Sequence, residues 1–199
     1  MIARADVAMG AARDDTLFPA VLQLLEQHHI HAGTLAAIVC GSGPGSFTSL
    51  RISASLAKGL AYAARCPLFA VSSLTLAAAA VTAAGRYIVH ADALRGERYA
   101  QAVEVNDSGV VSERGPIVRV PFDALSEFAQ GRARLAVLTS PDEPQEARLV
   151  VADAAALLRC ADWSRRGPVD LDSWEPAYGR LAEAQVKWEE AHGQPLPQG

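Results

Sequence analysis

The 199-residue chain contains no apolar run of bilayer length. Its most apolar stretch, Ser73 to Ala84, is mostly alanine and too short to span. Met1 to Gly10 carries Arg4 and Asp6 without the apolar core of a signal peptide, so no membrane role is expected. Cysteine is scarce too. Cys40, Cys66 and Cys160 are scattered and odd in number, which excludes a disulfide framework and predicts buried thiols in a reducing, cytoplasmic setting. Nor is there a surplus of positive charge. A formal charge of -4 excludes a chain that grips nucleic acid by its overall balance, while leaving room for a small basic patch or a basic partner. Repeats and low-complexity tails are absent. What the chain has is 50% apolar and 20% charged residues, enough to bury a core as one domain or two small ones.

The order of elements is α/β. Apart from a possible short edge strand in Ala3 to Ala12, the first pattern is a helix over Leu17 to His28: Leu17, Val21, Leu24 and His28 share one face and Phe18, Leu22 and Leu25 the next. Thr16 or Asp15 can cap it, and Pro19 is tolerable in its first turn. A strand at Leu35 to Cys40, a helix at Phe47 to Ala64, a strand at Leu68 to Val71 and an alanine-rich helix at Leu74 to Ala84 follow. The pattern changes at Gly85. Strands are predicted at Tyr87 to His90 and Arg98 to Val105, a turn at Asn106 to Gly109, and an extended stretch at Val110 to Val120. Short helices at Phe122 to Phe128 and Ala152 to Arg159 flank a strand at Leu135 to Thr139. The Trp174 to Tyr178 break precedes a last amphipathic helix from Gly179 to His192.

The segment CGSGPGSFTSLRISASLAKGLAYAA, Cys40 to Ala64, sets a glycine-rich turn between a strand and a helix, an arrangement able to receive an anion. The specific versions fail. A phosphate-binding P-loop needs Gly-Lys-Ser/Thr, but Gly45 leads into Ser46, Phe47 and Thr48, and Lys58 lies three turns along the helix. Ser46 stands where the dinucleotide pattern wants glycine or alanine, and Gly-x-Ser-x-Gly is missed by both candidate registers. The helix itself is more informative. Leu50, Ala54, Ala57, Ala61 and Ala64 make a narrow seam on which another helix can come close, and Ile52, Leu56 and Leu60 make a bulkier stripe. With one face on the sheet, the seam Leu50, Ala54, Ala57 and Ala61, turned outward, becomes a partner contact alongside Leu17, Val21 and Leu24. The alternative is that both faces are covered within the monomer, since alanine is also a good helix former.

Other constellations are thinner. His28, His29 and His31 cluster at a helix end without an acidic or cysteine partner, so no metal site is predicted. Asp92, Arg95 and Arg98 lie in the turn-like segment HADALRGERYAQ, where they either bind a polar ligand or pin the turn through ion pairs. Trp163, Trp174, Tyr178 and Trp188 are too dispersed for a base-stacking platform and are expected to pack the smaller second unit and the C-terminal helix. No nucleophile, base and oxyanion site come together, so no catalytic residue is predicted.

The run Gly43-Pro44-Gly45-Ser46-Phe47-Thr48-Ser49-Leu50-Arg51-Ile52, with Ala57-Lys58-Gly59-Leu60-Ala61, resembles the signature of the bacterial TsaB (YeaZ) family of glycoprotease-like (Gcp-like) proteins. Further resemblance lies in TLFPAVLQLL (Thr16 to Leu25), VSSLTLAA (Val71 to Ala78), DALRGERYA (Asp92 to Ala100) and EPAYGR (Glu175 to Arg180), so it covers most of the chain. It implies an ASKHA (actin-like ATPase) fold of two ribonuclease-H-like lobes. Residues 1–84 would form the first lobe, with a helix in 179–199 returning to it, and residues 85–178 the smaller second lobe. Three positions depart: Ser49 and Ser53 stand where glycine is common, and Leu94 where arginine is frequent. The family's opening strand, of the type Leu-Ala-Ile-Asp-Thr-Ser, and its hairpin partner have no counterpart before the first helix, so the first hairpin is expected to be missing.

The resemblance implies a non-catalytic scaffold or activating subunit of tRNA N6-threonylcarbamoyladenosine (t6A) synthesis, paired with a TsaD-type catalytic subunit and working with a TsaE-type ATPase. ATP and metal would be handled by those partners, with no cofactor bound and no tight ATP binding by this chain. The tRNA would be engaged only through the complex, and the isolated chain would form a homodimer. The alternative is a stand-alone nucleotide-binding ATPase or glycoprotease-like hydrolase.

Overall fold

Apolar periodicity produces the first helix, α1 (Leu17–Gln27), with Pro19 in the first turn where no intrahelical N–H is needed. The computed structural model describes residues 2–7, 16–137, 147–161, 163–178 and 192. Thr16 stands at the N-cap without a side-chain cap bond, and α1 buries none of its residues fully. A 3-10 turn (Ala32–Thr34) leads into β1 (Ile38–Gly41), which starts later than the pattern from Leu35 implies because the turn's closing bond holds Leu35. The long helix α2 (Phe47–Ala64) has the predicted bounds. Its cap is Ser46, and Arg65 ends it in a left-handed conformation. β2 (Leu68–Val71) runs parallel to β1, with Val39 opposite Phe69 and Cys40 opposite Ala70.

The helix α3 (Ser73–Ala78) is shorter than the alanine run suggests. Turn bonds from Ala80 to Ala77 and from Val81 to Ala78 redirect the chain and bury Val81 completely. Six strands then build one mixed sheet. β3 (Gly85–Asp92) and β4 (Glu97–Val105) form an antiparallel hairpin. The far edge of β4 is shared by β5 (Val111–Glu113) and β6 (Val118–Pro121). One extended stretch was expected there; Pro116, which has no N–H for a ladder, falls in the break between the two strands. After α4 (Leu125–Ala129), β7 (Ala133–Val137) joins β3 in parallel, and β8 (Arg148–Val150) joins β7. The 152–159 helix is a 3-10 turn, Ala154–Arg159, capped by Asp153.

Strand alternation gives the sheet two cores. Val89 enters a cluster with Leu74, Val103 and Leu135 under α3, whereas Ile88 packs with Ala100, Val120 and Leu125 under α4. α3 also touches the parallel pair, since a Cβ on Gly41 would stand 3.3 Å from Ser73 Oγ and 3.9 Å from a Leu76 methyl. The chain is thus an α/β fold in which α3 joins a parallel pair to a mixed sheet.

Three further expectations need correction. Residues 85–178 do not stay with the second sheet. Val169 N donates to Leu68 O at 2.8 Å, and Val169, Leu171 and Trp174 cover the cluster of Cys40, Ala57, Ala61 and Leu68. The aromatic residues follow suit: Trp163 meets Phe69 edge-on at 5.3 Å, Trp174 lies under Lys58 Nζ at 5.9 Å, and Tyr178 packs on Phe47 at 4.7 Å. Trp174 and Tyr178 therefore serve α2 rather than the second unit. Residues 2–7 form no strand. The Gly179 to His192 helix, the returning segment 179–199, Trp188, the Asp15 cap and the rest of the possible edge strand lie outside the described residues, apart from His192.

Candidate functional site

The motif turn is tied down on two sides. Gly43 N donates to Ser73 Oγ at 3.1 Å and Gly43 O accepts from Ser73 N at 2.9 Å, while Ser42 O accepts from Ala177 N at 2.7 Å. Gly43 has φ +91°, and a Cβ there would lie 2.5 Å from Ala177 O, so only glycine lets the C-terminal strip approach this closely. Pro44 is buried beside it, after a cis bond. Ser46 Oγ accepts from Ser49 N at 3.5 Å. The helix start that could have cradled an anion is thus capped by the chain's own hydroxyl.

The small-residue seam of α2 points inward, contrary to the outward-facing arrangement. Leu50, Ala54, Ala57 and Ala61 are buried, Ala61 with no exposed surface, and Ala57 and Ala61 pack on Cys40 and Leu68. The physical reason is close approach: methyl-sized side chains let an 18-residue helix lie directly on a two-stranded sheet. These four positions are not available to another chain. Leu17, Val21 and Leu24 of α1 are half-buried.

The opposite face of α2 stays open. Phe18 from α1 and Phe47, Thr48, Arg51, Ile52, Ser55 and Leu56 from α2 line a groove of about 550 Å³. Phe18 is 46% exposed, Leu22 38% and Phe47 36%, and the Arg51 guanidinium stands 5.8 Å above the Phe47 ring. Large apolar side chains left in water next to one another make this face a candidate contact surface. The sequence pattern puts the contact on the alanine seam, with Phe18 in the second stripe of α1 and Phe47 in the family motif. The signal for the open groove was there, because Phe18 and Leu22 form the second apolar stripe of α1, more than an isolated surface helix needs.

A second concavity, about 490 Å³, lies between the sheets and is lined by Ser42, Ser72, Gln101, Glu113, Arg166 and Trp174 among others. Several of its polar groups are bonded within the site. Ser72 Oγ donates to Gln101 Oε1 at 3.2 Å, Thr75 Oγ1 donates to Glu113 Oε1 at 2.9 Å, and Arg166 pairs with Glu113 at 2.7 Å. None of the described lining side chains is a histidine, cysteine or lysine. Cys40 and Cys160, the latter next to this network, are pushed up to about 11 by burial and stay protonated thiols. Among the described residues no three His, Cys, Asp or Glu side chains come close enough to hold a metal ion.

The charged segment at the β3–β4 turn acts as a pin. Arg98, itself buried, pairs with Asp92 at 2.8 Å and lies 4.4 Å above the Phe122 ring, and Asp92 accepts from Leu94 N at 3.1 Å. Leu94, Arg95 and Gly96 all take positive φ, which closes the hairpin and leaves Arg95 in solvent. On the same sheet face His90 is buried; desolvation, then the Arg98 and Arg134 charges, lower its pKa to about 4 and keep the imidazole neutral.

The protein-family model described as "TsaD: tRNA N6-adenosine threonylcarbamoyltransferase" matches residues 11–155. The Bacillus subtilis (strain 168) tRNA threonylcarbamoyladenosine biosynthesis protein TsaB is 30% identical over 188 residues, covering 87% of this chain and 82% of that protein. Its Escherichia coli (strain K12) counterpart is 28% identical over 195 residues, covering 89% and 83%. Among solved structures, a Pseudomonas aeruginosa protein described as similar to peptidase YEAZ superposes with a TM-score of 0.67 at 27% identity, over 85% of each chain. YeaZ from Pseudomonas aeruginosa gives 0.63 at 27% identity, over 81% of this chain and 82% of that one.

Proposed function

The chain belongs to the TsaB (YeaZ) family of Gcp-like proteins connected with tRNA threonylcarbamoyladenosine synthesis, and from that premise we propose that it is the non-catalytic partner of a TsaD-type catalytic subunit. It supplies a surface and no reacting group. The observation that carries this reading is the groove between α1 and the outer face of α2, where Phe18, Phe47, Ile52 and Leu56 line one apolar trough beside the family motif. A helix of the catalytic subunit fills it, with Leu17, Val21 and Leu24 bordering the contact. In isolation the same face pairs with a second copy.

The fold is read as a two-lobe ASKHA arrangement: the first lobe around β1, α2 and β2, the second around β3 to β8, with the division at the start of β3 and residues 163–178 leaning back on the first. The interlobe cleft is the position where an actin-like protein would take a nucleotide. Among the described lining residues the one cation, Arg166, is engaged by Glu113, which supports leaving ATP and metal to the TsaD-type and TsaE-type subunits. The protein works in the cytoplasm.

Size-exclusion chromatography with light scattering tests the pairing. The chain and its TsaD-type subunit elute as one stoichiometric complex. Two folded proteins that elute separately at micromolar concentration would refute the reading.

A further inference from the structure

The face of the six-stranded sheet that α4 covers only in part carries a concentration of arginine at odds with a chain of net charge -4. Arg86 of β3 lies opposite Glu104 of β4, and Arg132 and Arg114 complete a depression of about 410 Å³ around that carboxylate. Glu104 Oε2 accepts from Arg114 Nε at 2.8 Å and stands 3.6 Å from Arg86 Nε. Both contacts use the inner edge of the guanidinium, while the side chains remain 56% and 75% exposed. Arg132 is fixed from behind: Nε donates to Ala129 O at 3.0 Å and Nη2 to Gln130 Oε1 at 2.9 Å. Arg134 follows on β7, opposite Ile88, with Nη1 on Ser126 Oγ at 2.8 Å.

Three guanidinium groups thus surround one carboxylate in a single depression, a local surplus of two positive charges, and a fourth arginine adjoins it. The cations here are arginines, as are all those of the chain but Lys58 and Lys187. A planar guanidinium held at Nε presents its remaining donors in a fork matched to a phosphate's oxygens, which a lysine cannot do. The patch shares no residue with the apolar groove. Arg86 alternates along β3 with Tyr87 and Val89, whose side chains pack with the α3 cluster, so the arginines lie on the side of the sheet remote from α3.

We propose that the Arg86, Arg114 and Arg132 depression binds the phosphodiester backbone of the tRNA, so that the RNA touches this chain directly rather than only through the other subunits. The inference rests on the reading that the chain works in a tRNA-modifying complex. Contacts of this kind position the RNA and read no sequence, and each neutralised phosphate releases counterions.

The test uses the complex of this chain with its TsaD-type subunit and, as probe, an unmodified transcript of a tRNA that reads codons beginning with adenine. Elution without RNA, measured first, reports on the pairing alone. Titration of the transcript is then followed by fluorescence anisotropy from low to moderate salt. For R86E/R114E we expect affinity about ten-fold weaker at ~0.1 M salt and a plot of log K against log salt shallower by about 1.5, the loss of two phosphate contacts. If the charge reversals lower the melting temperature, R86Q/R114Q replaces them, with the same shallower slope expected. An assembled variant complex with unchanged affinity and slope overturns the inference while the pairing stands. A folded variant that no longer assembles also overturns it, by showing that the arginines meet an acidic surface of the protein partner.

Discussion

Phe18 is the position at which the proposed interface can be tested with least disturbance to the fold. Its ring is 46% exposed. A phenylalanine buries roughly 200 Å² when fully covered, so about 90 Å² is left for a partner, worth about 2.3 kcal/mol at ~25 cal/mol per Å². Phe18→Ala should therefore weaken association with the TsaD-type subunit by roughly forty-fold. Phe18 sits on α1, a helix with no fully buried residue, so the melting temperature should stay close to the parent's. Titration calorimetry against the catalytic subunit reads the first quantity and scanning fluorimetry the second. A variant that binds within about two-fold of the parent, at unchanged melting temperature, would remove α1 from the interface; that threshold corresponds to only ~0.4 kcal/mol.

Three further outcomes follow from the interior. Ala57→Trp should overpack the Cys40 and Leu68 cluster and cost about 1–3 kcal/mol or more, seen as a lower melting temperature before any effect on pairing; a normal melt with lost pairing would turn the seam outward. Gly43→Ala forces a Cβ to 2.5 Å from Ala177 O at φ +91°, a strain of about 1–3 kcal/mol. It should show as lower stability and changed tryptophan emission as the strip around Trp174 lifts, and an unchanged melt and spectrum would contradict it. Burial pushes the His90 imidazole down to about 4 in the fold, against an ordinary value of 6.5. The unfolded chain binds the proton first as pH falls, so this contribution is complete above about 6.5 and declines toward about 4, by about 2 kcal/mol at pH 5. In urea melts at pH 7 and pH 5, His90→Gln should lose that much less than the parent; equal losses would contradict the burial argument.

Much of the fold was legible because its long elements carry clean periods. α2 has the bounds that the apolar spacing implies, and β2, β3 and β4 follow runs of β-branched and aromatic residues. Misreadings fell where tertiary packing overrides a local pattern. The alanine run past Ala78 has helix propensity throughout, but Val81 has to reach the core, and that ends the helix. Arg148 to Val150 is too short to signal a strand alone and becomes one by pairing with β7. The orientation of α2 was not legible either: an alanine seam suits close packing on a sheet and on a partner helix equally, and only the placement of Cys40 and Leu68 beneath it decides. The groove escaped notice because its residues come from two helices some thirty positions apart, and the arginine depression because its members meet only through the strand register.

The central claim is that this chain enables threonylcarbamoyl transfer without performing it. The direct measurement is formation of the modified adenosine on an unmodified tRNA transcript, quantified after nuclease digestion, with threonylcarbamoyl-adenylate as donor. Four reactions are compared: the TsaD-type subunit with its TsaE-type ATPase, this chain alone, all three proteins, and all three with Phe18→Ala. The account predicts no product from this chain alone, strong stimulation when it joins the other two, and a stimulation that needs higher protein concentration with Phe18→Ala. Product from this chain alone, or equal product from the other two proteins without it, would contradict the account.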